Sequence, residues 1–462
     1  MIDRSATDET RPRHRHQRVR AARRRLVRSL AVLAAALGAV VGPASIADAA
    51  PAVPLDVAVA QDGAVLPEVD PASVDMSAER LDRLSAYLDG VVGSGLLPGS
   101  ITMVARRGGV VHLETDGWMD ANQVFELTPE HLFRMYSMTK PITSVAILVL
   151  MEEGRLLLDD PVADYLPAFA DAQVLVDPDT GETVPAERPI TIRDLLTHTS
   201  GTIGLGEALA DPAPVELDST SPMSELVDRI AALPLRSQPG ERFEYGFGHD
   251  IAGVVVENVS GMTLDEFFAD RIFGPLAMDD TAFYVPEGDE AMLVDEMVPE
   301  PAPGGIDWVA ALPGTFSSDK VGESREQFGG GGWGGGVVST IGDYASFAQM
   351  LANDGELGGV RVLSPKSVEL MTTSHTGDLA TAAGPGYGFG LGVGVRTDLT
   401  SRPLIGSVGR YGWGGAAFTT FFVDPAEELV ALRFANVFGI DQLPGGADIN
   451  PLFETFVYGA LN

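Results

Sequence analysis

Apolar residues recur along the chain with two different periods. From Ser77 onward, Leu81, Leu84, Leu88 and Val91 return at helical spacing and predict a helix with one apolar face. The next stretch, "ITMVARRGGVVHLET", reads as two strands around a turn at Arg107–Gly109, a hairpin. Near the C-terminus, "AAFTTFFVDPAEELVALRFAN" predicts two more strands joined across Asp424–Glu428. Asn450-Pro451 then offers a cap and first turn for a last helix, with Leu452, Phe453, Phe456 and Val457 on one face. Between these ends, from about 130 to about 400, helical patterns alternate with Pro- and Gly-rich loops. The pattern predicts an α/β (α+β) domain in which both termini build one antiparallel sheet and an all-helical region is inserted in the middle. We find no internal repeat.

One stretch is apolar on every side. "ITSVAILVLM", directly after Pro141, predicts a buried helix, with Gly154 as its stop. Proline is tolerated in the first turn, where its missing N–H has no partner to lose. Ser137 therefore lies at or just before the helix N-terminus, where free N–H groups and the helix dipole favour negative charge. Three residues apart on a helix, Ser137 and Lys140 share a face. A hydroxyl at the mouth of a buried helix beside an amine is a good place for a nucleophile, and Lys140 serves as its base where burial favours the neutral amine. Taken alone, Ser-x-x-Lys is better read as a serine cap with a solvated lysine, and the motif needs company.

Composition narrows the chemistry. The chain has 462 residues, 53 of them glycine, which suits a turn-rich globular protein with a large core. It has no cysteine, which excludes disulfides, thiolate metal sites, cysteine nucleophiles and a lipid-modified cysteine. Residues 1–49 hold ten arginines and four acids, so without them the formal charge of −34 becomes −40. Such a surface repels phosphate backbones and argues against nucleic acid as a partner. Residues 1–49 themselves read as an export signal: a basic start, the apolar run "LAVLAAALGAVVG" and Ala47-Asp48-Ala49. Arg23-Arg24 ahead of Leu26 and Val27 resemble a twin-arginine signal, and an uncleaved anchor stays open. Residues 50–75, rich in Pro, Val and Asp, read as a tether, and 76–462 as the working domain. No metal-ligand cluster is evident, and neither cofactor nor metal is expected.

"FRMYSMTKPITSVA" (Phe133–Ala146) resembles the active-site segment of the serine β-lactamase and penicillin-binding superfamily, best its class C-like branch with the family VIII carboxylesterases. The similarity continues in order through "EEGRLLLDDPVADYLP", "ITIRDLLTHTSG", "PGERFEYGFGHDIAGVVVENVSG", "GGGVVSTIGDYASFAQMLANDGELGGVRVLSPKSVELM" and "YGWGGAAFTTFFVDP", from roughly 78 to 460. The resemblance implies a β-lactamase-like fold, with an α/β part and an all-helical part bounding the site. It implies Ser137 as acylated nucleophile, Lys140 as its partner and Tyr245 as the second-motif tyrosine that relays a proton. Two positions after that tyrosine the family has Ser or Asn. Here Phe247 replaces an amide with an apolar wall.

The third motif departs further. Trp413-Gly414-Gly415 stands where β-lactamases and peptidases carry Lys-Thr-Gly, whose lysine helps hold a substrate carboxylate. Tryptophan has one N–H and no charge, so a preference for neutral substrates is expected. Strand alternation puts Arg410 on the opposite face. Gly414, Gly415 and Ala416 are expected at the substrate, and the Ala416 N–H, with that of Ser137, is the implied oxyanion donor. "GGGGWGGG" (Gly329–Gly336) lacks the ending of a phosphate loop and is read as a flexible loop near the site. His198 is expected to be a structural hydrogen-bonding residue, and Tyr387 either lines the pocket or packs.

The expected protein is an exported serine carboxylesterase that cleaves small neutral esters through an acyl-enzyme. The alternatives are a β-lactamase or D-amino-acid peptidase on the same residues, and a non-catalytic cell-surface binding module. Absence of Gly-x-Ser-x-Gly argues against a Ser–His–Asp hydrolase. The partner is a small-molecule ester or amide; oligomeric state stays open.

Overall fold

A computed structural model describes residues 66–208, 222–285, 288–302, 305–311 and 336–462. The export-signal stretch, most of the tether and the glycine run up to 335 lie outside these residues. Where the tether is described, it is docked. Val69 and Val110 exchange backbone hydrogen bonds with this strip (Val69 N–H to Val110 O and Val110 N–H to Pro67 O, 2.9 and 2.8 Å), and Pro71–Val74 forms a 3-10 turn.

Helix α1 (Ala78–Gly93) is capped by the Ser77 hydroxyl, which accepts the Arg80 N–H, and it buries the four predicted residues Leu81, Leu84, Leu88 and Val91. Strands β1 (Gly99–Arg106) and β2 (Gly109–Gly117) form the predicted hairpin. Its turn holds Arg107 and Gly108 at φ 51° and 74°, the left-handed pair that a two-residue hairpin needs. After a long insertion come β3 (Tyr387–Phe389), β4 (Gly394–Arg396), β5 (Tyr411–Gly414), β6 (Thr420–Asp424) and β7 (Leu429–Phe434). Among the described residues, one antiparallel sheet has the order β3-β4-β5-β6-β7-β1-β2, so the C-terminal strand pairs with the first one.

Period-two alternation gives this sheet two apolar faces. Leu429 and Ala431 of β7 and Val104 of β1 face α1 and the terminal helix, which spans Ile449–Gly459. Val430, Leu432 and Phe434 of β7 and Ile101 and Met103 of β1 face the insertion. The terminal helix starts earlier than the sequence suggests, with Asp448 at the cap position. Its buried face consists of Ile449, Phe453, Val457 and Tyr458, whereas Leu452 is exposed.

The insertion is mainly helical. At its centre is α2 (Thr139–Glu152), with every residue from Thr139 to Leu150 buried, as an all-round apolar helix must be. Gly154, at φ 70°, follows its end. α3 (Gly248–Ser260) packs on α2, and α4 (Ile341–Ala352) lies against β6 and β7. Two hairpins not foreseen in the sequence, Gln173–Asp177 with Glu182–Pro185 and Met297–Ala302 with Gly305–Ala310, decorate the surface. The helical insertion therefore meets the sheet along α4, and the turn Tyr136–Met138 that leads into α2 lies against β5 at that boundary.

Candidate active site

Ser137 sits in a 3-10 turn, Tyr136–Met138, that leads straight into α2. The segment is fixed from several sides. Met135 N–H donates to Val337 O (2.9 Å), Val337 N–H donates to the Thr139 hydroxyl (3.1 Å), and the Tyr344 hydroxyl of α4 donates to Met138 O (2.7 Å). Immediately before the serine, Tyr136 has φ 47°, a left-handed conformation that a non-glycine residue adopts rarely and where surrounding contacts enforce it. Those contacts are visible. The Tyr136 ring packs on Ala417, Ala416 and Phe438, and its hydroxyl donates to the buried Glu296 carboxylate. Burial raises the carboxyl of Glu296, and the Arg134 guanidinium, 3.7 Å away, opposes that rise.

Lys140, the second residue of α2, is buried and donates from Nζ to the Ser137 hydroxyl at 3.0 Å. The same ammonium lies 4.8 Å from the centre of the Tyr245 ring. Tyr245 comes from the loop before α3. Its hydroxyl accepts the indole N–H of Trp413 at 3.1 Å, and the two rings are 5.7 Å apart. The structure thus brings Ser137, Lys140, Tyr245 and Trp413 together from three separate stretches of chain.

At the third motif the indole N–H is engaged by Tyr245. The expectation that Trp413 contacts substrate must accommodate this. Gly415 also has a reason of its own to be small: a Cβ there would lie 2.5 Å from the Met135 carbonyl oxygen and 2.2 Å from the Thr419 hydroxyl. Glycine lets the end of β5 close on the nucleophile's own segment, in addition to any approach to substrate. Gly415 N–H donates to Thr419 O (2.8 Å). Trp413 to Ala416 line a cavity of about 550 Å³ that runs along β5 toward Arg410 and Glu454. Ser137, Lys140 and Tyr245 do not line this cavity.

Residues 84–449 match the family model described as Beta-lactamase. The chain belongs to that family. Protein Rv1367c of Mycobacterium tuberculosis is 35% identical over 380 residues, covering 76% of this chain and 89% of that one. Esterase EstB of Burkholderia gladioli is 30% identical over 390 residues, covering 79% and 94%. Among solved structures, EstCE1, a hydrolase with promiscuous acyltransferase activity, aligns with a TM-score of 0.69 at 25% identity, over 82% of this chain and 98% of that one. As a member of the beta-lactamase family, the protein is a serine hydrolase.

Within the family frame, one position differs from expectation. Phe247 is no wall of the cleft: it precedes α3 and is buried in the main core. Tyr387 lines the cavity along β5, with the Arg396 guanidinium 5.9 Å from its ring centre. His198 is a structural hydrogen-bonding residue as expected, since its Nδ1 accepts the Gly246 N–H at 3.4 Å. Sequence reasoning missed Tyr136, Glu296 and His249. No local signal marks a left-handed tyrosine, and the partners of the other two are brought in by the fold from far along the chain.

Proposed function

We propose that the protein is a carboxylesterase that acts on small neutral esters through an acyl-Ser137 intermediate. The Lys140 amine takes the Ser137 proton while Oγ bonds to the ester carbonyl carbon. The oxyanion is held by the N–H groups of Ser137 and Ala416, each a donor of the kind whose removal costs about 2.7–4 kcal/mol. When the C–O bond to the leaving alkoxide breaks, the proton passes to that alkoxide through Tyr245. Water then adds to the acyl carbon by the reverse arrangement and frees Ser137.

One observation carries the preference for neutral esters. Trp413 occupies the third-motif position, and its single N–H is committed to the Tyr245 hydroxyl. That position therefore supplies neither charge nor a spare donor to a substrate carboxylate. Export is part of the proposal and rests on the arginine-rich start, the apolar run and Ala47-Asp48-Ala49.

The test uses purified protein with a short p-nitrophenyl ester and with a chromogenic cephalosporin. Ester turnover with a covalent mass shift on Ser137, lost in Ser137→Ala, is the expected result. Fast cephalosporin turnover with little ester cleavage would overturn the substrate class in favour of a β-lactamase. Neither turnover nor adduct would favour a binding module.

A further inference from the structure

We infer that His198 is a positioning residue for Tyr245, and that with His249 it forms an imidazole pair tying Tyr245 to the helix that carries Lys140. This deepens the proposed function and rests on the reading of Tyr245 as the proton relay.

His198 brackets the tyrosine on three sides. Its carbonyl accepts the Glu244 N–H at 2.7 Å, its Nδ1 accepts the Gly246 N–H at 3.4 Å, and its ring centre is 4.5 Å from that of Tyr245. Residues immediately before and after Tyr245 are thus both hydrogen-bonded to one histidine. To do this His198 adopts φ 56°, outside the ordinary range of a non-glycine residue. A ring that merely filled space would need neither the unusual backbone nor the paired bonds.

The far side of the ring extends the connection. Because Nδ1 is an acceptor, the neutral ring carries its proton on Nε2. That Nε2 is buried and has no partner among the described residues, and neither has Nδ1 of His249, whose ring centre is 5.0 Å away. His249 pairs through Nε2 with the Ser144 hydroxyl at 3.1 Å. With the His249 proton on Nε2, its Nδ1 is an acceptor, the complement of the donor left over on His198. Ser144 lies one turn beyond Lys140 on α2, on the same face. The two nitrogens make no hydrogen bond to each other, so the connection runs by ring contact from Tyr245 through His198 to His249, and by the Ser144 hydrogen bond to the helix of Lys140.

Space around the pair is closed. At Gly392, φ 80°, a Cβ would sit 2.5 Å from the Ser144 hydroxyl and 2.9 Å from His249 Nε2. Burial first, then His249 in the case of His198, and Lys140 last for both, hold the two histidines well below their ordinary value, which keeps the rings neutral.

The experiment compares His198→Ala with His198→Asn. Asparagine tolerates a left-handed backbone and places an acceptor near the Nδ1 position; alanine does neither as well. On a p-nitrophenyl ester, His198→Ala is expected to lower kcat roughly tenfold with KM within about twofold, and His198→Asn to recover most of the loss. Histidine ¹⁵N spectra of the wild type should show His198 with Nε2 protonated and Nδ1 bare from about pH 5 to about pH 8. A folded His198→Ala that keeps kcat per titrated active site within about twofold overturns the inference, as does a His198 protonated on Nδ1. Should the wild type turn over no ester, the esterase reading fails, and the tautomer measurement still decides the His198 clamp.

Discussion

Trp413 and Arg410 lie three residues apart on and beside β5, and they point to opposite sides of the sheet. On the inner side Trp413 meets Phe389 at 4.9 Å and donates to Tyr245, so its polar atom is satisfied by an uncharged partner. On the outer side Arg410 stacks on Phe422, with 4.0 Å to the ring centre, and makes a two-pronged ion pair with Glu454 of the terminal helix at 2.8 and 2.5 Å. Both sides bury polar groups. At Trp413 the inner side does it with a neutral hydrogen bond and rings; the outer side does it with full charges. An ion pair at Trp413 would fix protons that the reaction must move, while a helix anchor has no such constraint. Fixed charge anchors the terminal helix on the outer face, while on the inner side the buried Arg134–Glu296 pair holds the Tyr136 hydroxyl and the groups around Trp413 are uncharged.

The largest effect expected from this contrast is on stability. Arg410→Met leaves the partly buried Glu454 without its partner and should destabilise the fold by up to about 3 kcal/mol, read by chemical denaturation. Adding Glu454→Met to the same chain should restore much of the loss, because paired removal avoids the stranded charge. If the double variant is no better than the single one, packing of the Arg410 stem and not its charge anchors the helix.

Much of this contrast could be read from the sequence because it follows local periods. The spacing of Leu81, Leu84, Leu88 and Val91 located α1, and alternation located the strands and put Arg410 and Trp413 on different faces. Ser137 and Lys140 were legible because three residues on a helix are neighbours whatever the rest of the chain does. The partners supplied by topology were not. The Trp413 N–H finds its acceptor 168 residues away, and His249 finds Ser144 across 105. Tyr136 has a left-handed backbone because Glu296, Ala417 and Phe438 hold its ring, and nothing in "RMYSM" announces that. Phe247 was misread as a cleft wall since its offset from Tyr245 says where the family places it, not which way the chain turns at the start of α3.

A second, smaller effect sharpens the inner side. Trp413→Phe keeps an aromatic ring and removes the N–H. Losing one neutral hydrogen bond of about 0.5–1.5 kcal/mol from Tyr245 should lower kcat by roughly three- to tenfold with little change in Tm. The opposite pattern, unchanged kcat with a clear drop in Tm, would make Trp413 a packing residue and leave the commitment of its N–H without catalytic meaning.

The smallest effect belongs to the outer side and depends on pH. Asp89 of α1 and Glu114 and Asp116 of β2 bring carboxylate oxygens within 4.8 Å of one another, a convergence invisible in the sequence. Burial, a hydrogen bond with Asp89 and the charges of Glu114 and Asp89 push Asp116 up to about 7. The folded state then holds a proton on Asp116 that the unfolded chain releases near the ordinary carboxyl value of 3.8. Stability contributed by this group is accordingly full below that value and declines as pH rises toward about 7. Asp116→Asn removes the decline, because the amide stays neutral throughout. The variant should exceed the wild type by no more than about 2–4 °C in Tm near pH 8, since the group is partly exposed and screened, and match it near pH 4. An equal Tm difference at both pH values would mean that the three carboxylates do not share the repulsion their geometry implies, and would remove the outer face's one unfavourable cluster from the contrast with the neutral cleft.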